Sequence, residues 1–319
     1  MPFGNLLLFA AGALLAGPSF AEGWPAKPVT LITAGAPGDG LDVIVRAIGQ
    51  GISKTVGQPV VIDNRPGAGG RIAMVALKNA PADGYTIGAI SLNNIPLAAV
   101  GKDCPYEPIA DYTHISLVAD AIPMLVVNPD LPINNVAELV SYAKANPGKL
   151  NYGSSGVGSI FHFYGEWFKQ LTGADLVHVA YKGEALALND IISDRIQLMF
   201  GSGVSKPYIT GGKLRLIATA GPARMREFPD VPTLREQGLK DFVITGWIGI
   251  SGPARMPRDV VEAANAALVK AVRVEDTRKL LNNFTFVERG SSSQDFTEKI
   301  KLDLARLRQI GQAAGITLE

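Results

Sequence analysis

The chain has 319 residues, 47% of them hydrophobic and 18% charged, which is enough apolar material for one large domain or two. With 30 Lys and Arg against 29 Asp and Glu the formal charge is +1, and no long run of one sign stands out; nucleic-acid binding and polybasic membrane docking are poorly supported. A single cysteine, Cys104, excludes an intrachain disulfide, and three scattered histidines (His114, His162, His178) lack the spacing of a zinc site, so no metal is expected.

Residues 6–17, "LLLFAAGALLAG", are apolar, uncharged and shorter than a membrane span. "SFA" at 19–21 follows as a small-x-small pattern, so residues 1–21 read as a secretory signal peptide cleaved after Ala21, although "MPFGN" carries no Lys or Arg. The expected location is periplasmic.

From Trp24 strands and helices alternate. "PVTLIT" predicts a strand and 41–55 a helix; "PVVID" a strand, "NRPGAGG" a turn, and "RIAMVALKNA" a helix; "YTIGAI" a strand ending in the polar turn "SLNN". A second series starts at "MLVVNPD". It continues with a helix "NVAELVSYAKAN", a strand "KLNYGS", a turn "SSGVGS", a helix "IFHFYGEWFKQLTG" and a strand "LVHVAY". A helix over 184–193, a strand "IQLMF", a turn "GSGVS" and a strand "LRLIATA" follow. "PDVPTLREQG" reads as a loop and short helix, "FVITGWIGISGPARMP" as a strand leading out, and two charged amphipathic helices, within 258–273 and 293–313, end the chain. Short apolar strands between helices predict an α/β fold with mostly parallel sheets.

Three turns repeat one device. "GAPGDGLD" (35–42), "NRPGAGG" and "SSGVGS" each follow a strand and precede a helix. Glycine permits positive φ and close approach of a ligand to the backbone. The helix start behind each turn offers unpaired N–H groups, and such turns gather at the carboxyl ends of the strands. Gly35, Gly38 and Gly40 have the wrong spacing for a dinucleotide fingerprint, there is no phosphate-loop motif, and Asp39 would repel a pyrophosphate. No G-x-S-x-G elbow occurs; Ser155 or Ser159 with His162 is the nearest approach to a nucleophile and base. Asp42 and Asp63 sit where capping is the expected role, and Arg65 where it pins a turn. Ser91, Asn93 and Lys182 follow strand ends and are candidates to face a ligand.

Read together, "WPAKPVTLITAGAPGDGLDVIVR", "GQPVVIDNRPGAGGRIA", "APADGYTIG", "LNYGSSGVGS", "VHVAYKG", "IQLMF", "PDVPTLREQGL" and "GWIGISGPARMP" resemble the extracytoplasmic binding proteins of tripartite tricarboxylate transporters, the Bug family. The resemblance spans the chain from about Trp24 to Glu319. It implies a two-lobed periplasmic-binding-protein fold of the type II, Venus-flytrap kind, with two mostly parallel sheets flanked by helices. Lobe one would be 24–121 plus 247–319 and lobe two 122–246, with a ligand cleft between them. It further implies a monomer without catalytic residues or cofactor that captures a small organic carboxylate and hands it to a permease of one large and one small membrane subunit.

In such proteins backbone N–H groups and hydroxyls of the cleft turns hold the carboxylate. On this chain the implied positions are Ala36, Gly38, Asp39, Gly40 and Asp42 in the first turn and Ser91 and Asn93 in the next. In the second lobe they are Ser154, Ser155, Gly156 and Ser159, then Lys182, then Gly201 and Ser202. Three positions depart from the family pattern: Asp39 replaces a glycine, Glu184 follows "YKG" where a small residue is usual, and Gly201 stands where aspartate is usual. The added acids raise the expectation that Asp39 or Glu184 meets an ammonium or ring N–H of an amino-bearing or heteroaromatic acid. A ligand sensor docking on a membrane kinase and a periplasmic hydrolase stay open as alternatives.

Overall fold

The computed structural model describes residues 23–318, so the expected signal segment lies outside the described residues. The first sheet begins with β1 (Val29–Thr33), β2 (Val60–Asn64) and β3 (Thr86–Ser91). β1 pairs in parallel with both of the others. α1 (Gly40–Val56) joins β1 to β2 and lays Ile44, Val45, Ile48 and Ile52 on the sheet, all buried. Each such side chain contributes about 1.5–3 kcal/mol when withdrawn from water. Gly57, at φ 72°, ends the helix in a left-handed cap that only glycine adopts without strain. α2 (Arg71–Lys78) returns the chain to β3, and α3 (Pro96–Val100) starts on a proline, whose missing N–H is not needed there.

β4 (Tyr112–Ala121) leads across to a second sheet that opens with β5 (Met124–Val127). α4 (Val136–Ala145), β6 (Leu150–Ser154), α5 (Ile160–Thr172), β7 (Leu176–Ala180), α6 (Glu184–Ile192), β8 (Leu198–Gly201), α7 (Lys206–Thr210) and β9 (Arg215–Thr219) complete this part. The strand order is β7-β6-β8-β5-β9. β10 (Gly246–Pro253) carries the chain back into the first sheet, followed by α8 (Arg258–Ala271), α9 (Glu275–Asn283), β11 (Phe286–Glu288) and α10 (Ser293–Ala314). The first sheet reads β11-β4-β10-β3-β1-β2.

Both sheets are mixed rather than mostly parallel. β1, β2 and β3 run together, as do β6, β7 and β8, where helices make the crossovers. β10 runs against β3 and β4, β11 against β4, and β5 against β8 and β9. The reversal follows from the strands that cross between the sheets: β4 leaves the first sheet where β10 enters it, so the two lie side by side in opposite directions.

The two crossings touch. Gly246 pairs with Ala121 and Trp247 with Asp120, Ile244 N–H donates to the Ala220 carbonyl, and Ala220 N–H to that of Pro123. α10 ties the two parts together: the Arg306 guanidinium lies 4.9 Å from the Trp167 ring centre, and Gln170 donates to the Ile310 carbonyl. A hydrophobic cluster runs unbroken through this junction, from Phe163 and Phe200 to Trp247 and Phe296.

The expected elements form close to their predicted bounds, with differences. "PDVPTLREQG" folds as turns and one bridge to β9 and not as a helix; Leu234 N–H donates to the Thr219 carbonyl and Thr219 N–H to that of Pro232, which holds the segment to the end of β9. α9 and β11 occupy 275–288, where no element was predicted. β4 was also not predicted: its polar residues His114, Ser116 and Asp120 interrupt the apolar pattern, yet all three are buried.

Candidate functional site

The first glycine turn is closed on itself by its acids. The Asp39 carboxylate accepts from Ala36 N–H and Asp42 N–H, both at 2.8 Å, and is the N-cap of α1. Asp42 is buried and accepts from Gly38 N–H, the Arg46 guanidinium and the Asn64 amide. The Arg46 hydrogen bond holds its carboxyl down at about 2, against the opposing cost of burial. The turn therefore satisfies its own N–H groups with acids it carries, which answers why an acidic residue can sit in a glycine-rich strand–helix turn.

Beyond this turn a cleft opens between the two sheets, in two adjoining compartments divided by Leu41, Ser91, Asn93 and Phe161. The inner one, of about 300 Å³, is walled by apolar groups of both parts: Leu41, Ile122, Phe161, Trp247, Phe284 and Phe286. Its polar groups are few, chiefly Ser91, Asn93, Ser202 and Glu184, with Gly40 and Gly201 as bare backbone. The outer compartment, of about 630 Å³, is lined by the 67–71 turn with Arg71 and by Ser155, Ser159 and Leu318. Among the described residues no side chain bonds to the Asn93 amide, the Ser155 hydroxyl or the Arg71 guanidinium, so these donors face the cleft uncommitted.

Glu184 is the first residue of α6 and the one fully ionisable acid or base in the wall of the inner compartment among the described residues. Its Oε1 accepts from Ser202 N–H at 2.6 Å and from the Ser205 hydroxyl at 3.3 Å, and its Oε2 from the Ser202 hydroxyl at 2.7 Å. Gly201 makes room: a Cβ there would stand 2.2 Å from Ser205 Oγ and 3.2 Å from Glu184 Oε1. Burial among protein atoms raises the carboxyl pKa in spite of these bonds.

The second-lobe turn has a different use for its polar groups. Ser154 Oγ lies 2.7 Å from His178 Nε2, and the His178 ring stacks on His162 with centres 3.8 Å apart. His162 Nδ1 accepts from Gly158 N–H, while the Ser159 hydroxyl caps α5 through His162 N–H. Desolvation lowers both imidazoles, that of His178 to about 4, so the pair is neutral at pH 7. Ser154 is fully buried, which takes the one serine–histidine contact of this turn away from any substrate.

Of the positions predicted to bind, Gly40, Ser91, Asn93, Gly201 and Ser202 line the inner compartment and Ser155 and Ser159 the outer. Ala36, Gly38, Asp39, Asp42, Ser154, Gly156 and Lys182 line neither. The acids are engaged in the α1 start, Ser154 is locked to His178, and Lys182 is exposed. Sequence reasoning missed Trp247, Phe284, Phe286, Arg71 and Leu318. Trp247 follows Gly246 in a strand that was predicted, and Arg71 directly follows the NRPGAGG turn at the start of α2; nothing local marks Phe284, Phe286 and Leu318, which arrive from the end of α9, β11 and the chain end.

Two mixed sheets, two adjacent crossings and a cleft where loops of both parts meet define a two-lobed solute-binding protein. Residues 44–316 match the profile of the tripartite tricarboxylate transporter family receptors, and the chain belongs to that family. BugT of Bordetella pertussis is 32% identical, over 83% of this chain and 82% of its own. Among solved structures, the periplasmic binding protein BugD is 27% identical with a TM-score of 0.76, covering 93% of this chain and all of that one. Rpa4515 of R. palustris, solved with adipate, is 30% identical with a TM-score of 0.79, covering 92% of this chain and 99% of that one.

Proposed function

We propose that this protein binds a small organic carboxylate in the cleft outside the cytoplasmic membrane and delivers it to a permease of one large and one small membrane subunit, without turnover. The observation that carries the reading is the set of uncommitted donors, Asn93 at the divide and Ser155 and Arg71 in the outer compartment, beside an inner compartment with mostly apolar walls, in a member of this receptor family. A carboxylate accepts several such bonds at once, each charge-assisted. The lobes would be 24–121 plus 247–319 and 122–246, closing by a hinge at the adjacent crossings 121–124 and 244–247. The burial of Ser154 and the absence of a carboxylate bonded to His178 among the described residues support a binding role over hydrolysis. The adipate of Rpa4515 supports a ligand with an apolar body between its polar ends.

Thermal unfolding against a panel of organic acids, amino acids, sugars and nucleotides tests the reading. A ligand at a hundred times its Kd adds about 2.7 kcal/mol of stability, a shift of a few degrees. Stabilisation by a carboxylate class supports it; stabilisation by sugars or nucleotides alone overturns it.

A further inference from the structure

The inner compartment holds a charge without a counter-charge. Glu184 stands in its wall, and among the described residues no Lys or Arg lines that compartment and none forms an ion pair with Glu184. The nearest cation of the cleft, Arg71, belongs to the other compartment, beyond the divide of Leu41, Ser91, Asn93 and Phe161. Three donors hold the carboxylate, two on Oε1 and one on Oε2. A carboxylate has about four acceptor positions, so Oε2 retains one for a group in the cavity.

Cation at one end, acid at the other and apolar walls between them describe a ligand by complement. We propose that Glu184 makes the cleft selective for amino-bearing monocarboxylic acids, whose single carboxylate takes the Asn93, Ser155 and Arg71 end, whose apolar body lies along Phe161, Trp247 and Phe284, and whose protonated nitrogen meets Glu184 Oε2. The assignment rests on the carboxylate reading above and names the ligand class for it. A dicarboxylate of the same length sets its second charge against Glu184, and like charges at close range in a desolvated site are disfavoured. Desolvation already raises the Glu184 pKa, and a ligand ammonium relieves that cost.

Two matched pairs test this by calorimetry at pH 7: 6-aminohexanoate against adipate, and 4-(aminomethyl)benzoate against terephthalate, with hexanoate as the tail-only control. In the purified protein the amino-bearing member of at least one pair should bind about tenfold or more tighter than its dicarboxylate, as a charged hydrogen bond allows. Glu184→Gln should abolish that preference. Because the first comparison uses the unaltered protein, a folding defect in Glu184→Gln does not spoil it. If neither amino-bearing acid exceeds its partner, or if Glu184→Gln keeps the preference, the assignment is overturned. In that case tight binding of adipate, terephthalate or hexanoate leaves the carboxylate reading standing, whereas silence from every carboxylate of the wider panel removes both.

Discussion

The indole N–H of Trp247 donates to the carboxylate of Asp303 at 2.8 Å, and both residues are buried. One residue is in the strand that returns from the second sheet and the other in α10. Lys299 completes the carboxylate from the same helix at 2.8 Å. The bond fixes the wall of the inner compartment to the helix that spans both lobes, because the Trp247 ring is part of that wall.

Trp247→Phe keeps most of the apolar ring and deletes the donor. A buried carboxylate then loses one of two partners, which costs about 1–3 kcal/mol. Urea unfolding of Trp247→Phe, Asp303→Asn and the double variant should show the two changes to be non-additive; strict additivity would mean that the bond does not couple the strand to the helix.

Asp39 gives the sharpest separation of a capping role from a ligand-binding one. Asp39→Ala removes both bonds to the turn and should lower stability by about 1 kcal/mol. Asp39→Asn retains an acceptor and should be nearly neutral. Ligand affinity should be the same in Asp39→Asn as in the parent, measured by calorimetry, since the Asp39 carboxylate lines neither compartment; a changed affinity would return Asp39 to the site.

Phe242 joins the second lobe to its core. It stacks on Phe200 with centres 5.4 Å apart and on Trp167 at 4.4 Å, and is wholly buried. Phe242→Ala should cost about 3–5 kcal/mol from lost transfer energy and the cavity left behind. Phe242→Leu, which refills most of the space, should recover more than half of it in the same denaturation experiment.

All three histidines of the chain are held neutral by burial, His114 and His178 with pKa values lowered to about 4 and His162 lowered as well. The unfolded chain takes up protons near the ordinary value of about 6.5, before the folded one does. Stability from these groups is therefore full above pH 6.5 and is lost as pH falls from there toward 4. Denaturation midpoints between pH 8 and pH 4 should decline over that window. His178→Asn, which keeps a bond to Ser154, should flatten the slope; an unchanged slope would show that the stacked pair does not titrate with folding.

The alternation of short apolar runs with 3.6-period helices was enough to place most strands and helices, since each is decided by neighbours three or four residues away. The order of the glycine turns was enough to expose the family. Local pattern failed where long-range partners do the satisfying. β4 buries His114, Ser116 and Asp120 because Ser251, the Ser291 carbonyl and Arg289 come from more than a hundred residues away to meet them. Nothing near β4 in sequence announces those partners, so its polar residues obscured a strand.

The same division holds at the site. That glycine turns and small polar residues gather at strand ends was legible in advance, because connection lengths and the hand of the crossovers leave them no other edge. The sequence also marked Asp39 and Glu184 as added acids, but could not tell them apart. Folding separates them: Asp39, at the surface, caps its own helix, while Glu184 stands in an apolar wall with no cation among the described residues lining it. That wall is assembled from Phe284, Phe286 and Trp247, which lie far along the chain and reach the cleft only when α9, β11 and β10 pack against the first sheet. A side chain's charge is written in the sequence, whereas its cost depends on which atoms surround it, and folding alone supplies those.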